Sequence, residues 1–497
     1  MNNENQLINA RKQKLKLLYE LGQNPYPKNA KRTHLISEIF EEPEQLIEEG
    51  KVVFIVGRIR ALRKMGKASF LHIEDKSGRI QIYIRRDEVG KENYTVFKKS
   101  DIGDFLQIKG KVFYTNTGEL SIRAEHIKFL VKSIRPIPVV KQKEKEGKKI
   151  LYDQFADKEL RYRKRYLDLL LNPKVKDKFI KRSKIIKMMR KFLDEKGFIE
   201  VETPILQPQY GGAAAQPFIT KHNKLDMELY LRIADELYLK RLIIGGFEKV
   251  YEVCKDFRNE GMDRTHNPEF TQIELYQAYA DYNDIMDLLE EMLTTIAKEV
   301  IGSLTFEYDG AKIMLATPWK RKPLLDLIEE HAKINIKDMS LKEILEFCDE
   351  KELELEVKTY GKAIDEIFKN FVEPNLIQPT FVIDYPKEIS PLAKSKSAES
   401  KLVERFEIFI AGTEIGNAFT ELNDPFDQRE RLEDQAKNRK LGDLEASEVD
   451  EDFLEALEYG MPPTGGLGLG VDRIVMLFTG SYSIKDVILF PQMRKKD

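Results

Sequence analysis

An α+β protein, with a small N-terminal β-barrel ahead of a larger mixed domain, is predicted by three observations. At 497 residues the chain exceeds one domain, and roughly 100–200 residues each makes two to four the expectation. From residue 51, five short β-rich runs follow one another with turn residues between them. Beyond about residue 160 the texture changes to amphipathic helices alternating with strands and irregular loops.

Composition narrows the class. The chain is 42% hydrophobic and 33% charged, enough apolar residue to bury real cores. No apolar run approaches the ~18 residues of a membrane helix. The start, MNNENQLINARKQKL, has no apolar h-region, so no secretory signal is expected. Two cysteines, Cys254 and Cys348, exclude a disulfide framework and a Cys-built zinc site, fit a reducing cytosol, and read as small core residues. A net charge of −2 gives no global indication of nucleic acid, but its distribution is uneven. Residues 1–33 and 141–165 are rich in Lys and Arg, whereas 443–458 holds acids and no base.

Taken in order, residues 1–48 read as a helical extension broken at NPYP, because proline cannot continue a helix. Residues 49–140 carry VVFIVGRI, ASFLHIED, RIQIYIR, DFLQIKGKVFY and ELSIRAEHIKFL, separated by KMGK, KSG and TNTG. Five such strands suit a Greek-key barrel of the oligonucleotide-binding (OB) type, although pattern alone also admits other five-stranded barrels. The charged stretch 141–175 reads as a linker, and 176–497 as the second domain. That domain has clear helices in 176–196 and 281–300 and a helical insertion at about 320–380.

The strongest chemical signal is YEVCKDFRNEGMDRTHNPEFTQIELYQAYADY, 251–282, which reads strand, polar loop, strand. Alternation places Arg258 and Glu260 on one face of the first strand, and Glu274 and Tyr276 on one face of the second. Paired as a hairpin, these residues converge with His266 on one surface. The bland alternative is a charged solvent face.

The FRNE at 257–260 resembles motif 2 of the class II aminoacyl-tRNA synthetases. GFIEVETPIL at 197–206 resembles motif 1, and GLGLGVDR at 466–473 resembles motif 3. Three motifs in order behind a barrel match subclass IIb, and RYRKRYLDLL, LYLRIADELYLKR and FTELNDPFDQRER match its lysyl-tRNA synthetase family. The resemblance implies an antiparallel catalytic sheet flanked by helices, a cytoplasmic homodimer, and no membrane. The implied reaction joins L-lysine to ATP as lysyl-adenylate, then transfers lysine to tRNA(Lys). Because the amino acid's carboxylate is already ionised, this needs positioning and charge stabilisation, with no general base.

By the same resemblance, Arg258 holds the α-phosphate and the substrate carboxylate, and Arg473 belongs to the ATP site. Phe270 stacks on adenine, Glu260 contacts the base and His266 reaches the outer phosphates. Glu407 and Glu414 are the implied Mg2+ ligands, and no zinc is expected. Glu274, Tyr276 and Glu421 match the positions that receive the ε-ammonium. Such a group is costly to desolvate unless carboxylates replace its water, and an aspartate or asparagine enzyme would need a donor at Glu421. Phe419 covers the aliphatic stem, Gly212 and Glu236 take the α-amino end, and Asn417 the carboxylate. On the barrel, Phe70 matches the family's stacking position, with Gln81, Arg58 and Glu119 as readers of anticodon base edges. Strict alternation turns Glu414 away from Asn417, Phe419 and Glu421, and a bulge at Gly416 would reconcile them. Gln216 stands where the family usually has arginine, and Asp235 where it has proline or serine. Two rival readings are a paralogue that attaches lysine to a translation factor and a nucleic-acid-binding protein with a dead synthetase domain. The intact barrel opposes the first and the full set of charged ligands the second.

Overall fold

The computed structural model describes residues 3–138, 141–145, 148–152, 155–355, 357–440 and 449–495. The chain divides into two compact units, Met1–Asp157 and Lys158–Asp497. Among the described residues no helix is long and apolar enough to cross a membrane.

In the first unit, strands Val52–Lys64, Ala68–Glu74, Arg79–Arg85, Phe105–Tyr114 and Leu120–Val131 close a barrel in the order first, second, third, fifth, fourth. Alternation explains it: in Ala68–Glu74 and Arg79–Arg85, residues Leu71, Ile73, Ile80, Ile82 and Ile84 turn inward while their neighbours face out. The helix Asn3–Glu20 belongs to the same unit. Its Leu18 joins the barrel core, and Arg11 donates to the carbonyls of Ile102, Ser133 and Arg135. Lys132, wholly buried, is held by Asp101 and Asp104 at 2.6 and 2.7 Å.

The second unit begins inside the stretch read as linker, with helices Lys158–Arg163 and Arg165–Leu171. The buried Arg165–Asp168 pair, 2.8 Å apart, gives that stretch a fixed structure despite its charge. An eight-stranded sheet follows. Its order is Lys320–Pro323, Thr380–Pro386, Leu402–Ile410, Thr413–Thr420, Thr464–Gly470, Glu269–Ala278, Lys249–Phe257 and Ile199–Glu200. The six central strands pair antiparallel as expected, while the outermost strand at each edge pairs parallel. Helices Pro173–Glu195, Tyr282–Val300 and Val471–Thr479 bury Ile185, Met189, Ile285, Leu289 and Ile474 in the core that includes the sheet's Ile273, Leu275 and Leu469. Trp319 lies in this core, its ring 5.6 Å from Phe381 and its Nε1 donating to the Leu315 carbonyl at 3.1 Å.

The predicted insertion contains helices Leu324–Ala332, Leu341–Glu350 and Tyr360–Phe371, whose Ile328, Ile344, Cys348 and Ile364 contribute to a separate core. Of the acidic stretch, 443–448 lie outside the described residues, and Asp450 caps the helix Glu451–Glu458. The expected bulge exists one residue earlier than Gly416. Ile408 pairs with Gly416 and Phe409 with Glu414, leaving Ile415 as the extra residue.

Candidate active site

A cavity of about 320 Å³ opens over the central strands. Its walls include Gly212, Glu236, Arg258, Glu260, His266, Phe270, Glu274, Tyr276, Glu407, Glu414, Asn417, Phe419 and Arg473. The bulge at Ile415 brings Glu414 to the same cavity as Asn417 and Phe419. One expectation about the hairpin needs correction. Its first strand ends at Phe257, so Arg258 and Glu260 lie beyond the strand. The Arg258 N–H still donates to Pro268 O at 2.9 Å, which fixes its direction, whereas Glu260 stands exposed at the rim.

At one end the groups suit a nucleotide. The Arg258 guanidinium lies 5.1 Å from the Phe270 ring, and its buried Nε has no hydrogen-bond partner among the described residues. Arg473 Nη1 donates to Glu414 Oε2 at 2.9 Å, and Nη2 to His266 Nε2 at 3.2 Å. That leaves His266 Nδ1 to donate to Asp263 Oδ2 at 2.8 Å. Burial opposes ionisation of Asp263, but hydrogen bonds from His266 and Thr265 hold it down at about 2. Asp472 accepts from the Thr271 N–H at 2.7 Å and from Arg182, tying the helix after the glycine strand to the hairpin.

Glu407 and Glu414 are both held from one side by arginine. Glu407 accepts from Arg405 Nη2 at 2.6 Å and from the Tyr385 hydroxyl at 2.9 Å. Burial, with Glu414 adding to it against the pull of Arg405, pushes Glu407 up to about 7. Burial also works against Glu414, but Arg473 and its hydrogen bond keep that carboxyl below its usual range. Two neighbouring carboxylates facing a cavity, one of them reluctant to ionise beside the other, form an oxygen donor set that fits a hard dication.

At the other end the groups suit a cation. Tyr276 OH donates to Glu274 Oε2 at 3.2 Å, and Gln272 Nε2 donates to Glu274 Oε1 at 2.6 Å. Glu421 follows the strand Thr413–Thr420, wholly buried, and pairs with Lys240. Its Oε1 has no hydrogen-bond partner among the described residues. Gly466 makes room for it: a Cβ there would fall 2.0 Å from Glu421 Oε1 and 2.5 Å from the Tyr276 ring. Gly212, at φ +88°, passes so close to Glu236 that a Cβ would lie 3.2 Å from that residue's own Cβ.

Beneath Glu274 lies a buried acidic floor. Ligand atoms of Asp235, Cys254 and Asp256 lie within 4.8 Å of one another. The Arg232 guanidinium adjoins them, 3.1 Å from Asp256 Oδ1 and 2.7 Å from Glu252 Oε1, and supplies the counter-charge. Burial, and then Asp256 and Glu252, raise Asp235 well above the carboxylate range against the pull of Arg232 and a hydrogen bond from Glu274; burial and Asp235 raise Glu274 likewise, and burial pushes Asp256 up to about 6. Asp235, the departure noted in the sequence, thus belongs to this floor. The other departure, Gln216, uses its backbone carbonyl to accept from Asn259 N at 2.8 Å.

Sequence reasoning missed Arg405 and Lys240. Arg405 lines the cavity and donates to Asn417 Oδ1 at 3.0 Å; it lies two residues before Glu407, on the same face by alternation. Lys240 lies one helical turn after Glu236, an i,i+4 spacing that signals the pair.

On the barrel, Phe70 faces outward, 5.1 Å from Tyr83, whose ring is 6.1 Å from Phe113. Gln81 Nε2 donates to Ser121 Oγ at 2.9 Å, and Glu119 pairs with His72 at 3.2 Å on the same side. Arg58 does not join them. It pairs in register with Glu74, at the far end of the strand from Phe70, and its guanidinium lies 4.2 Å from the Phe105 ring. The residue opposite Phe70 is Arg63.

Residues 157–494 match the family model described as tRNA synthetases class II (D, K and N), and 53–130 match the OB-fold nucleic acid binding domain. The chain belongs to the class II tRNA synthetases of the D, K and N group. Three similar relatives carry a particular name, lysine–tRNA ligase. The enzyme of Pelotomaculum thermopropionicum is 52% identical across 99% of this chain and 96% of its own length. That of Carboxydothermus hydrogenoformans is also 52% identical, across 99% of both chains, and that of Shouchella clausii 50%, across 99% and 97%.

Proposed function

We propose that the protein is a lysine–tRNA ligase, forming lysyl-adenylate and pyrophosphate from L-lysine and ATP and then lysylating the 3′ end of tRNA(Lys). The observation that carries lysine as substrate is the buried Glu421 Oε1, without a hydrogen-bond partner among the described residues, beside Gly466 and Tyr276, which line one cavity with Glu274 and Arg258. An orphaned buried carboxylate oxygen is costly unless a ligand cation completes it.

In this reading the ε-ammonium meets Glu421, Glu274 and Tyr276, the stem lies on Phe419, and the α-amino group lies at Gly212 and Glu236. Asn417, held by Arg405, and Arg258 orient the carboxylate toward the α-phosphorus. Phe270 stacks on adenine, Glu260 reaches it from the rim, and Arg473 with His266 contacts the outer phosphates. Glu407 and Glu414 would hold Mg2+, which when bound offsets the charge of the phosphate oxygens. The carboxylate attacks unaided, so these residues contribute orientation and charge and hold no proton for it.

The barrel would read the anticodon as splayed single-stranded bases, Phe70 by stacking and Gln81 and Glu119 by base-edge contacts, with Arg63 where Arg58 was expected. Two free cysteines fit a cytoplasmic protein, and the segment 197–206 would form a homodimer interface. Lysine-dependent exchange of pyrophosphate into ATP, followed by charging of tRNA(Lys), tests the proposal. Exchange that ignores lysine would overturn it. Sedimentation showing a fully active monomer would remove the dimer.

A further inference from the structure

Beneath the cavity, a lysine of the chain itself contacts carboxylates expected to receive the substrate lysine. The Lys240 ammonium is wholly buried and pairs with Glu236 and with Glu421. The Phe419 ring, expected to cover the substrate's stem, has its centroid 5.7 Å from this Nζ, and Phe453 flanks it at 6.0 Å. Glu236 comes from the same helix, Glu236–Ile244, whereas Glu421 comes from the end of a sheet strand, so one cation joins two elements.

Charge decides what this pairing does. Two carboxylates sharing one Nζ lie close enough that, without the cation, burial and mutual repulsion would drive one of them to take a proton. A protonated Glu421 would offer an incoming ammonium a neutral acid. With Lys240 present, the cation opposes that protonation, and Glu421 Oε2 is ion-paired while Oε1 has no hydrogen-bond partner among the described residues. The other titratable groups facing this pair are Glu274 and Tyr276 from the hairpin, themselves backed by Asp235 of the floor, and Arg405 from across the cavity. Even with Lys240 opposing it, burial pushes Glu421 up to about 8.

We propose that Lys240 is a positioning residue for substrate selection: it aligns Glu236 and Glu421 and lowers the cost of ionising them, so that Glu421 Oε1, beside the cavity-lining Gly466 and Tyr276, is left for an alkyl-ammonium ligand. This rests on the reading of the cavity as a lysine site. A lysine within the protein would thereby set the charge that selects a lysine outside it.

The test compares wild type, Lys240→Met, Lys240→Gln and Lys240→Arg in lysine-dependent pyrophosphate exchange between about pH 7 and 9, with stabilisation by ATP as the check on folding. Loss of a charge-assisted contact in a desolvated site predicts a rise of ~30-fold in the lysine KM of Lys240→Met near pH 7, with the ATP KM and saturated rate little changed. The ratio of mutant to wild-type lysine KM should shrink toward pH 9, as Glu421 recovers its charge, and Lys240→Arg should restore most of the affinity. Should Lys240→Met not fold, Lys240→Gln, which keeps donors without the charge, is judged by the same criteria. An unchanged lysine KM, or a ratio that does not move with pH, overturns the proposal. Wild-type protein that fails to respond to lysine would instead remove the reading of the cavity.

Discussion

Gly466 and Arg258 show how much single residues decide in this site. A methyl group at Gly466 would overlap Glu421 Oε1, so Gly466→Ala should displace the carboxylate and raise the lysine KM ~10-fold or more, with ATP affinity nearly unchanged. An unaltered lysine KM in the folded variant would mean that Glu421 does not face the substrate. Arg258→Ala removes a cavity guanidinium whose Nε has no partner among the described residues and should slow exchange by ~100-fold or more without loss of fold. Near-normal exchange would take this residue out of the chemistry. The types of these residues were legible in the sequence because they lie in short runs with a fixed order. Lys240 and Arg405 were not, since their meaning comes from Glu421 and Asn417, which only folding brings to them. Arg58 and Arg63 both lie on one strand of the barrel, and choosing between them required the register.

Among elements, the hairpin strand Lys249–Phe257 and the barrel strand Ala68–Glu74 carry the clearest consequences. Alternation predicted both strands, but not what lies beneath the first. There Asp235, Glu274 and Asp256 have folded values raised by burial above the ~4 of an unfolded carboxylate, Asp256 to about 6. The folded state therefore binds more protons than the unfolded one. Its stability contribution from these groups is complete below pH ~4 and lost as pH rises through their folded values. Melting temperature should fall as pH rises above about 4 and through about 6, where Asp256 titrates, and Asp235→Asn should flatten that slope and raise the melting temperature on its alkaline side. A lower melting temperature of Asp235→Asn on that side would contradict this account. On the barrel, Phe70→Ala should weaken tRNA charging by ~1–3 kcal/mol, the worth of one stacked base, and leave lysine-dependent exchange alone. Equal loss in both assays would make Phe70 a support of the barrel. The bulge at Ile415 was anticipated within one residue, because only a break in alternation could turn Glu414 toward Asn417.

For the whole molecule, the division into a barrel unit and a catalytic unit followed from texture alone, whereas the boundary did not. Residues 158–171 look like linker by charge, yet Arg165 and Asp168 neutralise each other in a buried pair. Each unit has its own core, so a fragment of residues 158–497 should keep lysine-dependent exchange and lose ~100-fold or more in tRNA charging. Full charging by the fragment would deny the barrel any role in recognition. Trp319 makes the two halves optically separable. It is the only tryptophan in the chain, and it lies in the core of the catalytic unit against Phe381. Its emission during a denaturant titration therefore tracks loosening of that core and is blind to the barrel, while far-ultraviolet circular dichroism sums the helices and strands of both. If the units unfold at different denaturant concentrations, the two signals will cross their midpoints apart, and no label is needed to tell which half opened first.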